Sequence, residues 1–391
     1  MKNVQDYIAQ HKDRFINELI DLLKIPSVSA DPAFSKDVLN TADAVKNSLE
    51  KAGCDKVEIC ETPGYPIVYG EKIIDPKLPT VLVYGHYDVQ PADPIELWDS
   101  PAFEPVIKKT DIHPEGAIFA RGACDDKGQM YMHVKALEYM TSNNELPCNV
   151  KFMIEGEEEV GSVNLAKFVA ANREKLANDV ILISDTGMIA NDVPSITTGL
   201  RGLSYVEVQV TGPNRDLHSG LYGGAVANPI NILTKMIASL HDENNRITIP
   251  GFYDNIPDLS DDVRAQWEGL DFDWQGFLGA VGLSMPAGEQ DRMPLEMIWS
   301  RPTAEVNGIW GGYTGSGFKT VLPSKASAKI SFRLVGQQDP FKIRESFRDY
   351  VQSMLPADCT VEFKGHGNSQ ASQMETDDPA FEAARVALSE E

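Results

Sequence analysis

Residues 81–84, Val-Leu-Val-Tyr, predict a short buried β-strand, and polar residues follow directly where that strand ends. Gly85 is followed by His86 and, two residues later, by Asp88. In α/β proteins, side chains just beyond the carboxyl ends of strands are free to line a crevice. His86 could therefore bind a metal ion, and Asp88 could share that ion or hold the other imidazole nitrogen. A hydrogen-bonded turn is the commoner explanation of such a pair when it is isolated, so a site requires partners elsewhere in the chain.

Strands and helices alternate through the first half of the chain. Their lengths are typical of βα units, which indicates an α/β domain with a mixed, largely parallel sheet. The predicted segments are helices at 3–24, 41–52, 129–140 and 165–171 and strands at 57–60, 67–69, 80–84, 117–120, 149–154 and 180–183.

The pattern changes near residue 199. From there the predicted order is β-α-β-β-α-β, which is the split βαβ arrangement of ferredoxin-like domains. A passage rich in Trp, Pro and Asp, residues 251–302, follows the first of these helices and is interpreted as an excursion rather than a third domain. Because 391 residues exceed the size at which one hydrophobic core stops growing, two domains are also the expectation from length.

Composition restricts the partners and the compartment. The net charge of -23 argues against a nucleic acid or an anionic membrane, because both would repel such a chain. The five cysteines have no repeating spacing, which suits reduced thiols in a cytoplasm. The first 24 residues lack the apolar core of a signal peptide, and no apolar run approaches the length of a membrane span. We therefore predict a cytoplasmic protein without nucleic-acid or membrane partners.

Three further predicted strands are followed by acidic residues, namely Asp125, Asp126, Glu158, Glu159 and Asp185. Carboxylates gathered at one sheet edge would repel one another and raise their own pKa values unless cations were present. Histidine with carboxylates, and without cysteine, suits zinc, manganese or cobalt in a hydrolytic site. A solvated loop residue or a helix cap is the simpler explanation of any single carboxylate, and Asp126 could be only a cap. Clusters at four strand ends favour a divalent-metal site.

Four motifs resemble those of the dinuclear metallopeptidase family that includes carnosinase-type dipeptidases, aminoacylases, and acetylornithine and succinyl-diaminopimelate deacylases. They are Gly-His-Tyr-Asp at 85–88, Arg-Gly-Ala-Cys-Asp-Asp-Lys-Gly at 121–128, Gly-Glu-Glu-Glu at 156–159 and Ser-Asp at 184–185. The segments 216–224 and 315–323, and Asp-Asp-Lys-Gly at 125–128, are similar to the carnosinase-type branch in particular. The match spans almost the whole chain.

The resemblance implies two divalent metal ions in each subunit, with Zn²⁺ favoured and Mn²⁺ or Co²⁺ as alternatives. Asp125 would bridge the two ions, His86 and Asp185 would complete one site, and Glu159 would bind the other. Such paired ions hold an activated water and polarise a substrate carbonyl. The resemblance also implies a cis peptide bond between Asp125 and Asp126.

The same resemblance assigns roles beyond the metal ligands. Glu158 would take the proton of the attacking water and pass it to the leaving amine, and Asp88 would orient the metal-binding histidine. His218 would reach the active site of the other subunit and stabilise the oxyanion, although the residues alone favour an ordinary turn histidine. Arg333 would bind the substrate carboxylate, with help from Thr320. The remaining histidines have no partner at ligand spacing, and His133 and His241 are interpreted as surface or packing residues; the others are His11, His113 and His366.

The resemblance implies a homodimer in which residues 1–198 form the catalytic domain and residues 199–365 form a lid and dimerisation domain. Residues 366–391 would resume the catalytic domain. The last metal-binding histidine of the family is expected beyond them, so the sequence is interpreted as truncated. The predicted function is a metal-dependent dipeptidase. The alternatives are an N-acyl amino acid deacylase of the same family, and a catalytically impaired fragment that only dimerises or binds peptides.

Overall fold

The structure is a computed structural model that describes residues 2–189 and 193–389. Its contacts divide the chain into two compact units, Met1–Ser195 and Ile196–Glu391. Across the described residues, no helix combines the length and the apolar character that a membrane crossing requires.

The first unit is an α/β structure, and most of its elements overlap the predicted ones. They are α1 (Lys2–Leu23), α2 (Ser35–Lys51), β1 (Lys56–Cys60), β2 (Ile67–Lys72), β3 (Thr80–His86), β4 (Val106–Lys108), β5 (Ala117–Phe119), α3 (Lys127–Ser142), β6 (Asn149–Glu155), α4 (Leu165–Ala171) and β7 (Val180–Ile183). The strand Val106–Lys108 was not predicted, and the second helix begins at Ser35, six residues before its predicted start.

Five of these strands form one mixed sheet in the order β1-β2-β6-β3-β7. The strands β6, β3 and β7 are parallel, whereas β1 and β2 continue the sheet in antiparallel fashion. Every residue of β6 is buried, as expected for a central strand covered on both faces. The carboxyl ends of the three parallel strands lie at the same edge, so the residues after them are brought together.

A hydrophobic cluster holds α2 and α3 against this sheet, and α1 is joined to α3 by charged side chains. Lys135 on α3 has 10% of its side chain exposed, and its Nζ donates to Glu18 on α1 (2.6 Å) and to Glu138 (2.7 Å). Arg14 of α1 also pairs with Glu138. Lys135 and Arg14 together therefore balance the charges of the two carboxylates between the helices.

Lys135→Met is expected to lower the free energy of unfolding by about 1–3 kcal/mol near neutral pH, because Glu18 and Glu138 would lose a charged donor. Burial opposes ionisation of Glu18, but hydrogen bonds from Lys135 and Tyr131 outweigh it and lower the pKa to about 2. A lowered pKa stabilises the fold above the unfolded-state value, and this contribution is lost as the pH falls towards 2. Urea unfolding measured across that pH range should show that the loss of unfolding free energy in Lys135→Met becomes smaller in acid. Lys12→Met, at an exposed position of α1, should have the same unfolding free energy as the wild type.

The second unit is an α+β structure. Its elements are β8 (Gly199–Leu200), β9 (Gly202–Thr211), β10 (Leu217–His218), α5 (Ser219–Tyr222), α6 (Pro229–Ala238), α7 (Asp261–Glu268), α8 (Trp274–Gly279), β11 (Thr303–Gly311), β12 (Val321–Leu322), β13 (Lys325–Leu334), α9 (Pro340–Ser353), β14 (Thr360–Ser369), β15 (Ser372–Gln373) and α10 (Pro379–Ser389).

Four long strands form an antiparallel sheet in the order β11-β13-β9-β14. Burial alternates strictly along β9, and its buried valines share one cluster with apolar residues of α6 and α9. The two helices therefore cover one face of the sheet, and the chain order is β-α-β-β-α-β around it. This confirms the predicted ferredoxin-like unit. The passage at 251–302 contains α7, α8 and a π-helical turn, Glu296–Ser300.

The predicted end of this unit at residue 365 needs correction. The strand β14 remains paired with β9 as far as Ser369, and β15 then pairs with β8. Backbone hydrogen bonds thus attach residues 366–373 to the second unit rather than to the first. The assignment of residues 374–391 to a resumed catalytic domain stays a prediction.

Candidate active site

Three predicted metal ligands meet at the sheet edge. His86 is the last residue of β3, Asp125 precedes α3, and Asp185 follows β7 by two residues. His86 Nε2 lies 3.1 Å from Asp125 Oδ1 and 3.7 Å from Asp185 Oδ2. One ligand atom from each of the three lies within 4.8 Å of the others. The imidazole is fully buried while the side chain of Asp125 is 56% exposed, so the cluster is anchored in the core and open to solvent.

Asp88 is fully buried and touches both the histidine and the turn that carries the glutamates. Its main-chain carbonyl lies 3.0 Å from His86 Nδ1, closer than its carboxylate at 3.4 Å. The carboxylate accepts hydrogen bonds from Ser29 Oγ (2.6 Å) and from the main-chain nitrogens of Glu158 (3.2 Å) and Glu159 (3.1 Å). With Nδ1 held by the carbonyl, Nε2 points at the two aspartates.

The electrostatics of His86 depend on the surrounding acids. Burial alone would lower its pKa, but the hydrogen bond and negative charge of Asp88, with the charges of Asp126 and Glu158, raise it to about 10. Without a bound cation, the imidazole therefore gains a proton and offsets part of the negative charge of the site. A divalent cation at Nε2 would take over that role.

Glu158 and Glu159 occupy a single helical turn after β6 and are both half-buried. Glu159 accepts a hydrogen bond of 2.6 Å from Gln90 Nε2, and it lies outside the close group of three ligands. Burial raises the pKa of Glu158 to about 7, and the charges of Glu159 and Asp185 add to that increase. Burial likewise raises the pKa values of Glu159 and Asp185.

The Asp126 side chain does not act as the simple helix cap that the sequence allowed. It makes no capping hydrogen bond to α3. Instead its Oδ2 accepts from the main-chain nitrogen of His86 at 3.0 Å, while its buried Oδ1 has no partner. Burial raises the pKa of this carboxyl to about 7. The Asp125–Asp126 peptide bond is cis, as the resemblance implied.

These observations fit a divalent cation. The donors are one imidazole nitrogen and two carboxylates, and no thiolate belongs to the group. Burial raises the pKa of the Asp185 carboxyl. The Asp126 carboxyl beside this group keeps one buried oxygen, Oδ1, without a hydrogen-bond partner. Oxygen and nitrogen donors of this kind suit zinc, manganese or cobalt in a hydrolytic site.

The remaining predicted residues lie in the second unit. His218 pairs with Val321 across β10 and β12, and its Nδ1 accepts from the main-chain nitrogen of Gly220 at 3.0 Å. Thr320 is its neighbour, because the Thr320 carbonyl accepts from the next nitrogen after His218. Arg333 is separate from this pair, and it is exposed on the polar face of β13. His218 and Thr320 are exposed as well, so all three side chains are open to binding.

Three contacts of the first unit were not predicted from the sequence. Gln90 binds Glu159, Ser29 binds Asp88, and His133 Nε2 lies 2.7 Å from Ser184 Oγ. His133 is half-buried, and Ser184, its partner, directly precedes Asp185. The interpretation of His133 as a surface or packing residue did not include this contact, and its position on the helix that follows Asp126 was the one available signal.

The first unit gathers a buried histidine and carboxylates at the edge where parallel strands end, and the second unit is ferredoxin-like. This combination is typical of two-domain metal-dependent hydrolases. Residues 198–359 match the family model of the M20 peptidase dimerisation domain. A Cys-Gly metallodipeptidase of Schizosaccharomyces pombe is 33% identical over 367 residues, which are 91% of this chain and 76% of that protein. The human Beta-Ala-His dipeptidase is 30% identical over 91% of this chain and 72% of its own length. The chain belongs to the M20 peptidase family.

Solved structures agree with this membership. An M20 family metallo-carboxypeptidase from Sulfolobus solfataricus superposes with a TM-score of 0.84 and 34% identity, covering 96% of this chain and 83% of that one. Human carnosine dipeptidase 1 superposes with a TM-score of 0.82 and 28% identity, covering 99% and 84%. The predicted family, its carnosinase-type branch, the two-part fold and the class of metal-dependent peptidase are confirmed.

Proposed function

We propose that the protein is a homodimeric dipeptidase that hydrolyses the peptide bond of unblocked dipeptides with the help of divalent metal ions. The observation that carries the proposal is the meeting of His86, Asp125 and Asp185 at one strand edge with Glu158 beside them. Relatives named as Cys-Gly and Beta-Ala-His dipeptidases, which match about nine-tenths of the chain, support the substrate class.

Two ions are proposed for each subunit, with Zn²⁺ favoured over Mn²⁺ and Co²⁺. Asp125 would contribute to both ions, His86 and Asp185 would hold one, and Glu159 would hold the other. When bound, such ions lower the pKa of water and polarise the carbonyl that is attacked. Gln90 holds the Glu159 carboxylate in place through its amide nitrogen.

Glu158 is the proposed general base and acid. Its carboxylate accepts the proton of the attacking water and returns it to the nitrogen of the leaving amine. Its backbone is fixed by Asp88, so its orientation is coupled to that of His86, which the same residue contacts. Asp88 therefore supports both the proton carrier and a metal ligand without meeting the substrate.

The second unit supplies the proposed substrate contacts. The Arg333 guanidinium is suited to bidentate binding of the carboxylate of a dipeptide. His218, assisted by Thr320, is proposed to stabilise the oxyanion in the active site of the partner subunit. The match of residues 198–359 to a dimerisation domain supports the homodimer, and the unpaired state of all five cysteines supports the cytoplasm as compartment.

Substrate preference tests the proposal against the deacylase alternative. Protein loaded with Zn²⁺, Mn²⁺ or Co²⁺ is expected to hydrolyse an unblocked dipeptide, to lose that activity in a chelator and to regain it when the metal is restored. An N-acetyl amino acid is expected to react much more slowly. Action on the acetyl compound alone would establish the deacylase, and failure on both substrates would favour the non-catalytic alternative.

The proposed homodimer is tested separately. Sedimentation should give a mass of twice 43.0 kDa.

A further inference from the structure

The segment that carries Asp185 leaves the sheet where β7 ends. The strand β7 is an edge strand, and its pairing with β3 ends at Ile183, one residue before Ser184. Among the described residues, Ser184 and Asp185 belong to no strand ladder.

A side-chain contact joins this segment to a rigid element. His133 Nε2 lies 2.7 Å from Ser184 Oγ. His133 belongs to α3, which is anchored by the hydrophobic cluster beneath the sheet. The same helix begins two residues after Asp125. The contact therefore links the element that fixes Asp125 to the segment that carries Asp185.

We propose that His133 is a positioning residue that acts through Ser184 to hold Asp185 ready for metal binding. Asp125 Oδ1 and Asp185 Oδ2 lie 3.1 Å and 3.7 Å from His86 Nε2, and binding of an ion requires both carboxylates to keep these places. The contact between His133 and Ser184 ties the residue next to Asp185 to α3, so less reorganisation is needed when the ion binds. The inference deepens the proposed function, on which it rests.

Removing this contact is expected to weaken zinc binding, since residues that orient metal ligands typically change affinity 10–100-fold. His133→Leu removes the ring nitrogen at similar volume, His133→Gln retains a polar nitrogen near the position of Nε2, and Ser184→Ala removes the other partner. Competition with a chromophoric chelator, with zinc alone and no substrate, gives the dissociation constants. We expect an increase of about 10–100-fold for His133→Leu and Ser184→Ala, and a smaller increase for His133→Gln.

The double variant separates a shared contact from two independent effects. If the two side chains act through one hydrogen bond, His133→Leu with Ser184→Ala binds zinc no more weakly than either single variant. The inference would be overturned if the zinc dissociation constant of the double variant rose by the product of the two single-variant increases. It would also be overturned if His133→Leu had the dissociation constant of the wild type. The urea unfolding midpoint of these variants without metal is expected to stay close to that of the wild type. If the contact only supported the fold, this midpoint would fall.

Two further variants complete the test. His113→Leu, in an exposed loop, is the matched control and should leave zinc affinity unchanged. His86→Ala identifies the zinc ion concerned, because its loss should abolish that binding. A wild-type protein without zinc binding would overturn the proposed function and this inference together. Should His133→Leu fail to fold, Ser184→Ala, which removes only a hydroxyl group, decides the outcome.

Discussion

Glu158→Gln is expected to lower the kcat of dipeptide hydrolysis roughly a hundredfold to ten-thousandfold while the protein retains its metal ions. Glutamine has nearly the same shape as glutamate but cannot accept the proton of the attacking water. The hydrogen bond between the main-chain nitrogen of Glu158 and Asp88 does not involve the side chain, so the turn should keep its conformation. Initial rates of ion-loaded protein, together with metal analysis of the same samples, measure both quantities.

The adjacent residue provides the control. Glu159 lies in the same turn and is also half-buried, but it is proposed as a ligand of one ion. Glu159→Gln should therefore lose metal, whereas Glu158→Gln should lose only turnover. A Glu158→Gln variant that keeps most of the wild-type rate would exclude this residue as the base. Loss of metal in both variants would instead identify Glu158 as a further ligand.

The fold could be predicted where periodicity and chain order determine it. The edge at which β3, β6 and β7 end was predictable, because parallel strands present their carboxyl ends together. The start of α3 was placed two residues late, since Gly128 argues against a helix by propensity. The structure requires glycine at this position, because a Cβ atom there would lie 2.0 Å from the carbonyl oxygen of Ala123.

The candidate site was predictable only as far as its strand-end residues. Hydrogen bonds between distant parts of the chain leave no spacing signal, and Ser29 bonds to Asp88 across 59 residues while His133 meets Ser184 across 51. The direction of the Asp126 side chain, towards the main chain of His86, follows from packing around the turn before α3 and not from residue type. The motifs thus predicted candidate ligands, whereas the contacts that orient these residues appear only in the three-dimensional structure.

Asp88→Asn is expected to lower the free energy of unfolding by about 2–4 kcal/mol, because a buried amide cannot replace the carboxylate that accepts three hydrogen bonds. One amide oxygen can serve the nitrogen of Glu158 or that of Glu159, but the amide NH₂ would face the other donor. The turn with both glutamates would therefore lose a fixed attachment, and zinc affinity should fall about 10–100-fold.

Urea unfolding and zinc competition on the same preparations check both effects. Ser29→Ala removes one donor and leaves the carboxylate with its two main-chain partners, so its effect on stability should be smaller than that of Asp88→Asn. Asp43→Asn, at an exposed position of α2, should change neither quantity. Because Asp88 contacts His86 mainly through its carbonyl, the substitution preserves that hydrogen bond. Unchanged zinc affinity in a destabilised Asp88→Asn protein would mean that the carboxylate supports the fold of the turn and not the metal site.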